Sequence, residues 1–161
     1  MTDPAEFTRR ADGAMVVATA DTGGDRSGCL VGFHTQCSIE PPRYAVFLST
    51  ANHTFEVAGG VDTLGVSILA CDQERLARLF GGQTADDGVD KFDHCDWWRH
   101  DSGAILVDGA SAWLVGSIVD RVETGDHVAF VLHPVDQGAA ADRADPLRLA
   151  DIASINPGHE A

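Results

Sequence analysis

Only one lysine, Lys91, stands among the eleven basic residues of this 161-residue chain, against 25 acidic ones, for a formal net charge of −14. So little positive charge sets the surface against nucleic-acid phosphates and anionic lipid, and neither is expected as a general partner. An anionic ligand would need local compensation from arginines, backbone N–H groups or helix N-termini. No apolar run approaches the ~20 residues that a membrane-spanning helix requires. The opening residues Met1-Thr-Asp-Pro-Ala-Glu6 have neither a basic region nor an apolar run after them. No export signal is read there, and the expected location is the cytoplasm. The four cysteines, Cys29, Cys37, Cys71 and Cys95, include no Cys-x-x-Cys pair, so buried thiols are expected rather than a disulfide framework. His34-Thr-Gln-Cys37 and the run from His94-Cys95 to His100 lack the second half of a zinc motif, and no metal is expected. A P-loop, a Gly-x-Gly-x-x-Gly fingerprint and a Gly-x-Ser-x-Gly elbow are all missing. Their absence argues against a Rossmann-held nucleotide and a serine hydrolase.

What is present is the composition of one folded domain, with 44% apolar residues. Residues 7–135 carry clear patterning, and an Ala- and Asp-rich tail after Asp136 carries little. Phe7 to Asp12 reads as a lead-in helix. Ala14 to Ala20 and Gly28 to Phe33 read as a hairpin around a polar, glycine-containing turn. Strands are predicted over Arg43–Ser49, Thr63–Leu69, Ala104–Val107, Ser111–Val122 and His127–Val135. Asn52 or Thr54 would cap a short helix ended by Gly59-Gly60, and Asp72 a second one over Gln73–Phe80. Gln83 to Ser102 reads as a long polar loop, its Phe92, Trp97 and Trp98 arguing for packing against something. Strands dominate and do not alternate with helices. The fold class is therefore mainly β, an antiparallel, Greek-key-like barrel with a few short helices, as a single domain over 1–161.

Three polar clusters punctuate the apolar strands. His34-Thr-Gln-Cys-Ser-Ile-Glu-Pro-Pro42 is an exposed strand end held open by a rigid diproline, able to meet a planar ligand edge or a phosphate. It reads equally well as a polar loop. Ser49-Thr-Ala-Asn-His-Thr54 leads from a strand into a helix whose first N–H groups suit a phosphate, with plain N-capping as the alternative. Gly125-Asp-His127 is a hairpin turn that does not itself require a histidine. His127 there is a proton donor, a ligand contact or a solvent-facing strand residue.

Taken in order, these clusters resemble the flavin reductase family with an FMN-binding split barrel. The resemblance rests on Gly28, Ser38-Ile-Glu-Pro-Pro42, Val46–Ser49, Ala51-Asn-His-Thr54 and Leu64–Ala70. It continues through Gln73–Phe80, Asp90-Lys-Phe92, Ala112-Trp-Leu114 and Gly125-Asp-His127, and so runs from about Phe7 to Val135. It implies a homodimer that binds FMN, with FAD or the deazaflavin F420 as alternatives, and uses NAD(P)H as hydride donor. By the same resemblance, Thr35, Gln36 and Cys37 lie along the flavin ring edge. Ser38, Asn52, His53 and Thr54 lie by the phosphate, and His127 by the nicotinamide. The implied activity is an NAD(P)H-dependent flavin reductase, with a monooxygenase as a partner that would receive reduced flavin. A tightly held FMN electron carrier and an F420-binding split-barrel protein are the alternatives, as is a binding module using Trp97 and Trp98. Two departures stand out: Val31-Gly-Phe-His-Thr-Gln36 replaces a run of small residues, and Thr50 replaces a basic residue. His34 and Gln36 are thereby expected to affect which flavin fits, and Arg43 or Arg99 to help neutralise phosphate.

Overall fold

A computed structural model describes residues 3–82 and 88–155. Helix α1 (Pro4–Ala11) starts where Asp3 accepts a hydrogen bond from the Ala5 N–H, with Pro4 in the first turn where its missing donor costs nothing. Nine strands follow: β1 (Val16–Asp21), β2 (Arg26–Val31), β3 (His34–Ser38), β4 (Arg43–Ser49), β5 (Thr63–Ile68), β6 (Trp97–Arg99), β7 (Ile105–Val107), β8 (Ala112–Glu123) and β9 (His127–Ala139). Helices α2 (His53–Ala58) and α3 (Glu74–Gly82) flank β5 in sequence. Among the described residues no helix is long and apolar enough to cross a membrane.

Seven strands form one antiparallel sheet in the order β2-β1-β5-β8-β9-β4-β3, and β6-β7 is a separate hairpin. The mainly β, antiparallel fold expected from the sequence is what the chain adopts. The end strands β2 and β3 are consecutive in sequence with only Gly32 and Phe33 between them, so the sheet must curl to bring its two ends together. β8 and β9 reach across both halves. Two register shifts in their pairing, at Val115/Gly116 and Ile118/Asp120, supply the bend.

The curled sheet encloses Val16, Ala18, Val46, Leu48, Leu64 and Phe130, sealed by Val57 and Ala58 of α2. A second core on its outer side gathers Val17, Leu69, Leu76, Phe80, Phe92 and Ile105. β1 is buried on both faces, which is why Ala14–Ala20 is a continuous apolar run rather than an alternating one.

Four expectations change. The segment from His34 to Ser38 is a full edge strand, neither a loop nor a frayed end. Asp72 does not cap α3; it is ion-paired with Arg143, while the Gln73 side-chain oxygen accepts from the Ala70 N–H. The long loop holds a 3₁₀ turn at Lys91–His94 and strand β6, with residues 83–87 outside the described residues. The tail is packed: Leu147 is 1% exposed, Arg148 bridges to Ala14, and Pro146 bridges to Ala70.

Candidate functional site

β3 is the last strand of the sheet, so one side of its backbone takes no part in the ladder. That free edge can present N–H and C=O groups to a planar heterocycle. The exposed side chains of Thr35, Gln36 and Cys37 lie along it, and Ser38 ends it at a register shift before the diproline. At the other end, Phe33 is 52% exposed and packs against the His127 ring at 5.2 Å between centroids.

His127 opens β9 opposite Ser49 of β4. The Gly125 backbone, at φ 140°, turns the chain sharply enough for the Thr124 N–H and hydroxyl to donate to the His127 carbonyl at 3.0 and 2.8 Å. Asp126 accepts from His127 Nδ1 at 2.7 Å, and that hydrogen bond holds the Asp126 carboxyl below the usual aspartate range. The Asp126 carbonyl is fixed in turn by the Thr50 N–H at 2.9 Å. With Nδ1 committed, Nε2 is the ring atom left to meet a ligand, as acceptor or, when protonated, as donor. Phe33 and Asp126 were not singled out in the sequence. A phenylalanine ending an apolar strand and an aspartate in a hairpin turn carry no signal of their own.

The Asn52–Thr54 turn sits next to this end. Asn52 is the helix cap, accepting from the Thr54 N–H at 3.0 Å. His53 is held between Asp25 at 3.0 Å and Glu56 at 3.2 Å. The Thr54 hydroxyl is fully buried and bonded to the Ser27 hydroxyl at 2.8 Å. Burial pushes the Cys29 thiol up to about 11, so this cysteine is an inert core group. Replacing Thr54 with valine keeps the volume and strips this buried network of a partner. The expected loss is about 1–2 kcal/mol in denaturant-midpoint measurements.

Ser38 pairs with Arg43 at the start of β4, whereas the Asn52–Thr54 turn follows Ser49 at its end. Six strand steps of ~3.3 Å separate them by about 20 Å. Within one chain a single phosphate cannot touch both, and the candidate site is a strip along β3 with two distinct ends. Arg43 stands at the Ser38 end, donating to the Pro42 carbonyl at 2.8 Å and lying 3.0 Å from His133 Nδ1. Arg99 is committed elsewhere, to Asp21 and the Gly103 carbonyl. His34 is also spoken for: Nε2 donates to the Ala14 carbonyl and Nδ1 accepts from the Tyr44 hydroxyl, both at 2.6 Å. It pins β3 against the start of β1 rather than shaping a ligand. Trp97 and Trp98 are partly buried and pack within the chain, Trp97 under the Arg26 and Arg99 guanidiniums and Trp98 edge-on to Trp113 at 5.1 Å.

Beyond Ser38 the curled sheet opens into a groove of about 770 Å³, walled by Gln36, Tyr44, Ile68, Leu114, Pro134 and Gln137 among others. Its lining combines apolar Val66, Ile68 and Leu114 with polar Gln36, Arg43 and Gln137.

The chain thus presents a free β edge, with a carboxylate-held histidine at one end and a serine–diproline corner at the other. The family model for the flavin reductase like domain matches residues 7–153. The chain belongs to that family. An NADH-dependent FAD reductase of Streptomyces globisporus is 33% identical over 110 residues, 68% of this chain and 60% of the relative. An FMN reductase (NADH) of Klebsiella pneumoniae is 30% identical over 148 residues, 86% of this chain and 89% of the relative. The chain spans 60% and 39% of the length of the first two curated relatives it matches. Among solved structures, an NADH:FAD oxidoreductase of Streptomyces globisporus superposes with a TM-score of 0.78 at 28% identity, covering 89% of this chain and 88% of that one. As a flavin reductase like domain, the chain has the architecture that its ordered motifs imply.

Proposed function

We propose that this flavin reductase like protein is an NAD(P)H:flavin oxidoreductase. The observation that carries the reading is the meeting of His127 with Phe33 at the head of the free β3 edge. Bound there, a flavin supplies the hydride-accepting N5 position; the protein's part is positioning and electrostatics. The edge of Thr35, Gln36 and Cys37 orients the ring by backbone contacts. His127, its Nδ1 held by Asp126, offers Nε2 to the nicotinamide side. Ser38 and the nearby Arg43 take the flavin phosphate. The Asn52–Thr54 turn, with His53, closes the ring end within the subunit through its backbone. FMN and FAD both satisfy this arrangement.

Two further parts of the reading rest on surface and compartment. Phe33, between β2 and β3, and Val119 and Val122 of β8 are 52, 48 and 44% exposed. A second copy of the chain covering them would form a homodimer and exclude water from the ring end. All four cysteines are free thiols, in keeping with the reducing cytoplasm. Reduced flavin released there would be consumed by oxygen or by a flavin-dependent monooxygenase. The test is direct: purified protein should accelerate oxidation of NADH or NADPH when FMN or FAD is added. No acceleration with any pairing would overturn the reading.

A further inference from the structure

The reductase reading leaves the groove past Ser38 unassigned. It begins where the proposed flavin strip ends, since Gln36, Pro42 and Arg43 line it. The strip itself, about 20 Å along β4, is comparable to an extended flavin mononucleotide from ring to phosphate. Whatever a larger flavin carries beyond its first phosphate must pass the Ser38–Pro42 corner, and the groove is what lies there.

Its chemistry is selective. The chain has 25 acidic residues, yet among the described residues that line the groove none is acidic and one, Arg43, is basic. In a protein of net charge −14 this is a mouth from which a second phosphate is not repelled. Inside, Val66, Ile68 and Leu114 make an apolar floor and the Tyr44 ring a flat wall. Tyr44 is anchored through its hydroxyl to His34, so the ring is a fixed platform. The exposed amides of Gln36 and Gln137 flank the floor, each with a donor and an acceptor. An apolar slot with a planar wall and amide edges suits a purine base, and a groove of about 770 Å³ is ample for a nucleoside.

We infer that this groove is the subsite for the adenosine monophosphate half of FAD, making the protein selective for FAD over FMN. The inference rests on the flavin reading above. Ser38 and Arg43 meet the pyrophosphate at the corner, and Tyr44, Gln36 and Gln137 receive the adenine.

The test is equilibrium binding, read by titration calorimetry with oxidised FAD, FMN and ADP. The unmodified protein should bind FAD about tenfold or more tightly than FMN, the scale of 1.4 kcal/mol or more of added contact, and should bind ADP alone. Two substitutions at exposed groove positions probe it without touching the core. Ala139→Trp fills the slot, and Gln137→Ala removes an amide. Ala139→Trp should abolish ADP binding and bring FAD affinity down to that of FMN, with Gln137→Ala giving a smaller loss in the same direction. FMN affinity should hold in both. Equal affinity for FAD and FMN in the unmodified protein would overturn the inference, as would an unchanged FAD preference in Ala139→Trp. So would a shift of Ala139→Trp from dimer to monomer in sedimentation with its FAD preference intact, which would assign the groove to a second copy of the chain. If the unmodified protein binds neither flavin, it is the reductase reading that falls, and this subsite with it.

Discussion

Replacing His127 with alanine is expected to lower kcat/KM for the reduced nicotinamide on the order of 10²-fold, the scale of losing correct placement of one reactant against another. The expectation follows from how firmly this ring is held. Its Nδ1 is tied to Asp126 at 2.7 Å, its carbonyl receives two donors from Thr124, and its face lies against Phe33. A residue whose backbone is fixed by Thr124 and whose ring is held by Asp126 and Phe33, with one ring nitrogen left over, is built to meet something at that nitrogen. Asp126→Asn keeps a hydrogen-bonding group and removes the charge, and should fall between His127→Ala and the unmodified protein. Flavin affinity should move far less than kcat/KM in both variants, because the flavin is held along β3. Steady-state kinetics with the flavin saturating and the nicotinamide varied reads the effect. A His127→Ala enzyme with unaltered kcat/KM would show that the nicotinamide approaches elsewhere.

How much of this was legible in the sequence depends on whether a residue's role is local. Arg43–Ser49 is bounded by the diproline and by a polar turn, and its strand begins and ends where the sequence puts it. Asn52 caps α2 as its side chain and position suggest. β3 was harder, because His34-Thr-Gln-Cys-Ser38 has no apolar alternation to announce a strand. An edge strand with its side chains exposed has no buried face to impose one, and only its register with β4 makes it a strand. The same holds for the tail, where Leu147 and Ile152 are isolated apolar residues. Their burial comes from backbone bridges to Ala14 and Ala70, far away in sequence.

The candidate site divides along the same line. The residues Thr35 to Ser38 and His127 could be pointed to by composition and resemblance. That Ser38 and Thr54 stand at opposite ends of β4 follows from the strand predicted over Arg43–Ser49, whose length of about 20 Å sets them too far apart to share one phosphate. The commitment of His34 to Tyr44 and Ala14 was hidden. A histidine in a ligand-facing segment and a histidine locking a strand edge look alike until the partner strand is placed.

Gly65→Ala should be the most damaging single substitution in the barrel. Gly65 lies in β5 between Thr19 of β1 and Val115 of β8, with β7 crossing directly above it. A Cβ there would come within 2.0 Å of the Ile105 carbonyl oxygen and 2.5 Å of the Thr19 hydroxyl oxygen. The obstacle is backbone, so no rotamer change relieves it. The β6-β7 hairpin would have to lift, and lifting breaks the hydrogen bond that the buried Thr19 hydroxyl donates to that same carbonyl. Overpacking on this scale costs about 1–3 kcal/mol; the Thr19 hydroxyl keeps the Gly65 carbonyl at 3.3 Å, but leaving the buried Ile105 carbonyl without it adds about 1–3 more. The expected loss is about 2–6 kcal/mol, a large share of the roughly 5–15 kcal/mol that holds a domain together. Gly24→Ala, in the β1-β2 turn where an added Cβ meets nothing within 4 Å, is the matched control and should shift the denaturant midpoint little. Equal midpoints for the two variants would mean that β7 does not seat on Gly65. Because Leu106 and Val115 pack together beneath Trp98 and Trp113, a lifted hairpin should also alter the tryptophan fluorescence of any folded Gly65→Ala protein. The emission change and the midpoint shift should therefore appear together.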